Sequence, residues 1–169
     1  WLPIDNHQEG MHEQTAHRTS PTNIGLSMLS TLTAYDFGFI GPSELSLRLT
    51  RAFESISRLP HYQGHLFNWY DTRNLHALLP RYVSTVDSGN LAGCLLALKQ
   101  GCLDVTKAPV VRVEFWDGLK DTIDLLTAVF DSVPPDAENV LAPIVTRMSF
   151  VVESGRSHLS AAHSTLTML

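Results

Sequence analysis

Apolar residues recur every three or four positions along most of this chain, and prolines and glycines interrupt the pattern at intervals. That period matches the turn of an α-helix and not the two-residue repeat of a strand. It restricts the chain to a set of amphipathic helices. Ser20-Pro21 reads as a first helix start, with serine as N-cap and proline at the first helical position. Ile24, Met28, Leu29, Leu32 and Tyr35 follow at helical spacing, and Gly38 is the expected stop. Gly41-Pro42-Ser43 opens a second helix striped by Leu45, Leu49, Phe53 and Ile56 and ended by Pro60. The short connection predicts an antiparallel hairpin over residues 20–60.

Further along, Asp87-Ser88 is expected to cap a third helix running to about Cys102. Its Gly89 and Gly93 leave one face bare to a neighbouring helix or a ligand. A fourth helix is predicted from Trp116 to Asp131, with Leu119, Ile123, Leu126 and Phe130 on one face. Pro134-Pro135 breaks the chain. A fifth helix, Asp136 to Val152, should be disturbed at Pro143, and a sixth is expected from His158 onward. Helix pairs at intervals of ~40 to 50 residues are compatible with a helical array or toroid.

Two stretches depart from the helical period. Residues 1–19 are polar and read as an extended lead-in. Residues 61–86 hold Phe67, Trp69, Tyr70, Tyr82 and Val83 around Asp71-Thr72-Arg73-Asn74, and read as a small β-hairpin or an ordered loop. The expected organisation is therefore one partial domain over residues 1–169: lead-in 1–19, hairpin 20–60, aromatic polar loop 61–86, further helices 87–169.

Charge and hydropathy exclude several functions. Of 169 residues, only 12 are Lys or Arg, scattered through a chain of net charge −5, so nucleic acid is not an expected partner. The longest apolar stretch, Leu91 to Leu98, is far below the ~20 residues of a transmembrane helix. The chain opens on Trp1 and stops in a helix-like stretch, Ala161 to Leu169, which sets the expectation of a piece of a longer protein. Cys94 and Cys102 match no zinc or redox spacing and would sit roughly 12 Å apart on one helix, too far for a bridge. His7, His12 and His17 recur every five residues, which is not a ligand spacing on a helix face, and no HExxH, GxSxG, GxGxxG or P-loop occurs. No metal or cofactor is expected.

The densest polar and aromatic run is Gly64-His-Leu-Phe-Asn-Trp-Tyr-Asp71 followed by Pro80-Arg-Tyr-Val-Ser-Thr-Val-Asp-Ser-Gly-Asn90. A sugar presents an apolar CH face and a ring of hydroxyls. Its site needs flat aromatic surface beside planar hydrogen-bonding groups. Trp69, Tyr70 and Tyr82 are candidates for the surface; Asn68, Asp71, Arg81, Asp87 and Asn90 are candidates for the hydrogen bonds. The same residues have ordinary roles open to them: Trp69 and Tyr82 as core anchors, Asp71 closing a turn, Asp87 as an N-cap. A glycosidase needs two carboxylates about the bond, one kept protonated, and Asp71 and Asp87 are the only acids in this run. A second cluster, His17-Arg18-Thr19-Ser20-Pro21-Thr22-Asn23, is either an anion or hydroxyl site or a capped helix start with Arg18 paired to an acid.

Four runs carry a family resemblance: Trp1-Leu-Pro-Ile-Asp-Asn-His-Gln-Glu9, Ala16-His-Arg-Thr-Ser-Pro-Thr-Asn-Ile-Gly-Leu26, Gly64-His-Leu-Phe-Asn-Trp-Tyr-Asp-Thr-Arg73 and Tyr82-Val-Ser-Thr-Val-Asp-Ser-Gly-Asn-Leu-Ala-Gly93. In this order they resemble the glucoamylase-like middle region of the cyclic β-1,2-glucan synthases, over residues 1 to about 105. His7, Leu66-Phe67 and Cys94 depart from the family's usual aromatic, Phe-Tyr or Phe-Leu, and His. The resemblance implies an all-α fold of helical hairpins forming part of an (α/α)6 toroid, with this chain as its first half. It also implies a segment of a glycosyltransferase or transglycosylase that handles a β-1,2-glucan, cytoplasmic, as a soluble part of an inner-membrane protein.

No catalytic residue is assigned, since the acidic stretch expected of the family, resembling Trp-Gly-Ile-Ser-Glu-Ser, does not occur here. Substrate contact falls to Asn68, Trp69, Asp71, Arg81, Asp87 and Asn90, with Arg81 orienting Asp71 or Asp87. The implied partners are β-1,2-glucan and the remaining half of the toroid. Helix faces exposed by its absence would favour a homo-oligomer. The alternatives are a non-catalytic glucan-binding or structural module of the same protein, and an unrelated helical interaction domain.

Overall fold

The computed structural model describes residues 1–11, 13–129 and 135–166; for 135–138 and 159–166 it describes the backbone alone. The chain forms two compact units: Trp1–Thr33 with Pro42–Ala108, and Ala34–Gly41 with Pro109–Leu169. Five helices dominate the described residues: α1 (Pro21–Asp36), α2 (Pro42–Ser57), α3 (Thr85–Val105), α4 (Val113–Val129) and α5 (Pro135–Leu166). Short antiparallel strand pairs join them, so the chain is mostly helical rather than all-α.

In the first unit the polar lead-in is folded. β1 (Asn6–Gln8) and β2 (Gln14–Ala16) pair with His7 opposite Thr15. His12 lies outside the described residues, and the later β3 (Arg18–Thr19) runs into α1. The aromatic segment opens on a hairpin of β4 (His61–Tyr62) and β5 (His65–Leu66). Its two turn residues, Gln63 (φ 49°) and Gly64 (φ 83°), both take the left-handed conformation that matches the twist of a tight hairpin. β6 (Tyr70–Asp71) then pairs with β3, placing Asp71 opposite Arg18. Tyr70, a sequence candidate for a sugar platform, is fully buried. Its hydroxyl donates to Pro60 O and accepts from Phe67 N, both at 2.7 Å, so it is a core anchor and not a surface.

Of the α1 residues its spacing predicts, Ile24, Met28, Leu32 and Tyr35 are buried and Leu29 is half-buried. In α2 Leu45 and Leu49 are buried, but Phe53 stays 46% exposed. Close approach of α1 and α3 depends on two glycines. A Cβ at Gly25 would lie 2.8 Å from Cys94 Cβ, and one at Gly101 would lie 2.2 Å from Leu32 Cδ2. Gly89 and Gly93, read from the sequence as the bare face, have nothing within 4 Å and border open space instead. The third helix also begins earlier than Asp87. Its N-cap is Ser84, whose hydroxyl accepts from Asp87 N at 3.1 Å. Serine followed three residues later by an acid is the pattern of a capping box.

In the second unit, Ile123, Val145 and Val152 pack with Trp116 and Leu119 between α4 and α5. The fourth helix starts at Val113, three residues before Trp116, while Phe130, Asp131 and Pro134 lie outside the described residues. α5 is one helix of 32 residues; neither Pro143 nor the stretch before His158 ends it. Val145 and Val152, buried after Pro143, hold the helix where the proline removes a backbone donor. Gly155 meets the Trp116 ring, with a Cβ position 2.7 Å from it. Arg112 secures the end of α1: its Nη2 donates to Tyr35 O (2.8 Å) and Asp36 O (3.2 Å), and its guanidinium lies 4.2 Å from the Tyr35 ring centre. A cation there meets the negative end of the helix dipole. Leu125, Val140, Phe150 and Val151 remain exposed in this unit.

The two kinds of glycine in α3 make opposite predictions. Gly101→Val should lower the melting temperature, at a cost of about 1–3 kcal/mol for an overpacked contact. Gly93→Ala should match or exceed the parent, by up to ~1 kcal/mol of helix propensity. Circular dichroism melts compare the two, and equal losses would contradict this packing.

Candidate functional site

The polar cluster of the first unit forms where three segments meet: the start of α1, the first turn of α3, and the residues before β6. Asp87 is its centre. Because Ser84 caps the helix, the Asp87 carboxylate is released from capping and turns toward α1. Thr22 Oγ1 donates to Asp87 Oδ1 at 2.6 Å, and Asn90 Nδ2 donates to Thr22 Oγ1 at 3.0 Å.

Asn68 is buried, at 7% exposure, and its backbone N–H donates to Tyr82 O at 2.9 Å. Its side-chain amide, oriented to satisfy its neighbours, donates Nδ2 to Asp87 Oδ2 (2.9 Å). In that orientation its oxygen accepts from Tyr82 OH (2.8 Å) and Trp69 Nε1 (2.5 Å). One amide thus binds the carboxylate and fixes two aromatic rings.

Trp69 is also held from one face. The Arg18 guanidinium lies 4.4 Å from the indole centre. Arg18 in turn donates Nε to Asp5 Oδ2 (3.0 Å) and pairs with the same oxygen through Nη2 (2.9 Å), while Asn23 Nδ2 donates to Asp5 Oδ1 (3.0 Å). The half-exposed Arg18 is therefore both the partner of an acid, as one sequence reading held, and part of the surroundings of Trp69.

Asp71 and Arg81 stand apart from this network. Arg73 grips Asp71 through Nε to Oδ1 (3.1 Å), Nη2 to Oδ2 (2.7 Å) and its backbone N–H to Oδ1 (2.8 Å). This closes the turn after β6 and corrects the expectation that Arg81 orients Asp71 or Asp87. Arg81 is exposed and makes no hydrogen bond or ion pair among the described residues.

Both acids are driven toward the ionised state. The Arg73 hydrogen bonds hold the Asp71 carboxyl well below the usual carboxylate range. Burial pushes Asp87 up, but hydrogen bonds from Ser84, Thr22 and Ser20 outweigh it and leave its pKa lowered. A general acid needs the opposite shift, so the arrangement suits hydroxyl recognition better than proton donation. Among the described residues no group of three His, Cys, Asp or Glu is placed to hold a metal ion.

Of the sequence candidates, the fold brings together Asn68, Trp69, Tyr82, Asp87 and Asn90. The site residues that sequence reasoning passed over are Thr22, which lay in the second cluster, and Asp5. The Ser84-x-x-Asp87 spacing was the available signal that Asp87 is not the cap.

Comparison with known proteins adds an independent line. No family model matches the chain. The chain is similar to cyclic beta-(1,2)-glucan synthase NdvB of Rhizobium meliloti (strain 1021), 46% identical over 141 residues. That match takes in 83% of this chain and 5% of the length of the curated relative. It bears out the resemblance read from the four motif runs.

A group whose folded pKa is lowered contributes stability above its unfolded pKa, and that contribution is lost as pH falls through the folded value. The melting-temperature difference between the parent chain and Asp87→Asn should accordingly be largest near neutral pH. It should shrink below about pH 4, the ordinary aspartate range. A difference independent of pH would remove Asp87 from the network.

Proposed function

We propose that this chain is a glucan-handling segment of a protein like the cyclic β-1,2-glucan synthases, within a glycosyltransferase or transglycosylase. In this reading Asn68, Trp69, Asp87 and Asn90 touch the sugar. The observation that carries it is the single network in which one buried amide, Asn68, fixes an indole, a phenol and a carboxylate side by side. A pyranose ring stacks on the Trp69 face that Arg18 leaves free, and its hydroxyls meet Asp87 and Asn90. Arg81, exposed and without an ion pair among the described residues, contacts the glucan from the rim. Asp71, held by Arg73, contributes through its place in the turn.

In the parent protein the helices belong to an (α/α)6 toroid, whose other half is the partner of the exposed apolar residues of α4 and α5. Among the described residues no helix is long and apolar enough to cross a membrane. The segment is proposed to be cytoplasmic, as a soluble part of an inner-membrane protein. A second reading, a glucan-binding module without catalytic duty, is favoured by the two ionised carboxylates.

The test is a titration of this chain with linear β-1,2-glucooligosaccharides by NMR or calorimetry, with β-1,4 oligosaccharides as control. Selective binding is expected, weakened about tenfold or more by Trp69→Ala and by Asp87→Ala, a loss of about 1.4 kcal/mol or more. No binding at millimolar sugar would refute the reading.

A further inference from the structure

A groove of about 460 Å³ lies between α1 and α3 in the first unit, lined by Thr22, Leu26, Leu29, Gly89, Asn90 and Gly93. Thr22 and Asn90 also belong to the Asp87 network, so the groove and the cluster share a polar wall. We infer that this groove is a second subsite, taking the glucose ring next to the one on Trp69; the inference rests on the glucan reading above.

Its shape and chemistry suit that occupant. The volume falls within the ~300–1,000 Å³ of small-molecule sites. One wall is apolar: Leu26, 53% exposed, and Leu29 face the space and offer a surface for the CH face of a pyranose. At the polar end Asn90 spends one amide hydrogen on Thr22. Its carbonyl oxygen and second amide hydrogen have no protein partner among the described residues, a donor and an acceptor pair that matches adjacent hydroxyls.

The two glycines leave the α3 backbone open, with nothing within 4 Å of either Cβ position, so a ring can lie close along the helix. No Lys or Arg lines the groove, which disfavours a phosphate. A purely apolar ligand would leave Asn90 unpaired.

Gly93→Leu and Gly89→Leu project into the groove from Cβ positions with nothing within 4 Å, so both variants are expected to fold with unchanged or higher melting temperatures. Each is titrated with linear β-1,2-glucooligosaccharides beside the parent chain and Trp69→Ala. The expected result is about tenfold or greater loss of affinity in either leucine variant. In the parent, NMR shifts should spread over the amides of Gly89, Asn90 and Gly93. Parent-like affinity in both leucine variants, with binding lost in Trp69→Ala, overturns the groove and leaves the cluster standing. Loss in the leucine variants alone supports the groove and removes Trp69 from the site. A parent chain that binds no sugar at millimolar concentration overturns both.

Discussion

The Asp87 carboxylate is the constraint on which the first unit's polar architecture depends. Its two oxygens accept from residues far apart in sequence, Thr22 on α1 and Asn68 before β6. Hydrogen bonds to a charged group are each worth about 1.5–3 kcal/mol, and losing a partner leaves the full desolvation cost behind. The same carboxylate is available only because Ser84 does the capping. One serine placed three residues upstream therefore turns an ordinary helix start into the hub of a hydrogen-bond network. Held ionised, Asp87 accepts from hydroxyl and amide donors and has no proton of its own to give.

Around that hub, two kinds of glycine shape the space between α1 and α3. Gly25 and Gly101 remove the side chains that would keep the helices apart, and their neighbours occupy the vacated volume. Gly89 and Gly93 on the same α3 do the reverse and border an open groove. Tight contact and vacancy thus sit on one helix. In the second unit Gly155 plays the tight role against Trp116, and Arg112 closes the end of α1 through the Tyr35 and Asp36 carbonyls. There the apolar spacing of α4 overstates burial: Ile123 is 2% exposed, whereas Leu126, on the expected face, is 44% exposed. Periodicity identifies a face able to be buried, but a partner decides whether it is.

Much of the helical layout was legible because local rules governed it. Ser20-Pro21 marks the start of α1, Ile24, Met28 and Leu32 lie on its buried side, and Gly38 follows its end with φ 77°. The segment 61–86 reads as a small hairpin or an ordered loop about Asp71–Asn74, whereas the hairpin of β4 and β5 turns earlier, at Gln63 and Gly64. Reading failed where a distant contact outweighed a local signal. Pro143 suggests a disturbance and the stretch before His158 a break, yet α5 runs through both, its side chains packing on Trp116, Leu119 and Ile123. Tyr70 carries the same composition cue as Trp69, and only the Pro60 carbonyl and the Phe67 amide make it a core residue.

By itself the sequence determined that the chain is mostly helical and where its first two helices start, since helical period, proline and glycine act over a few residues, and it carried the resemblance to the glucan synthases. Only the tertiary structure decided which polar residues work together. It joined Thr22 to Asp87 across 65 positions, joined Asn68 to Asp87, and seated Arg18 on Trp69. Those pairings depend on chain segments meeting in space. Spacing along the chain carries no information about such meetings beyond a turn or two.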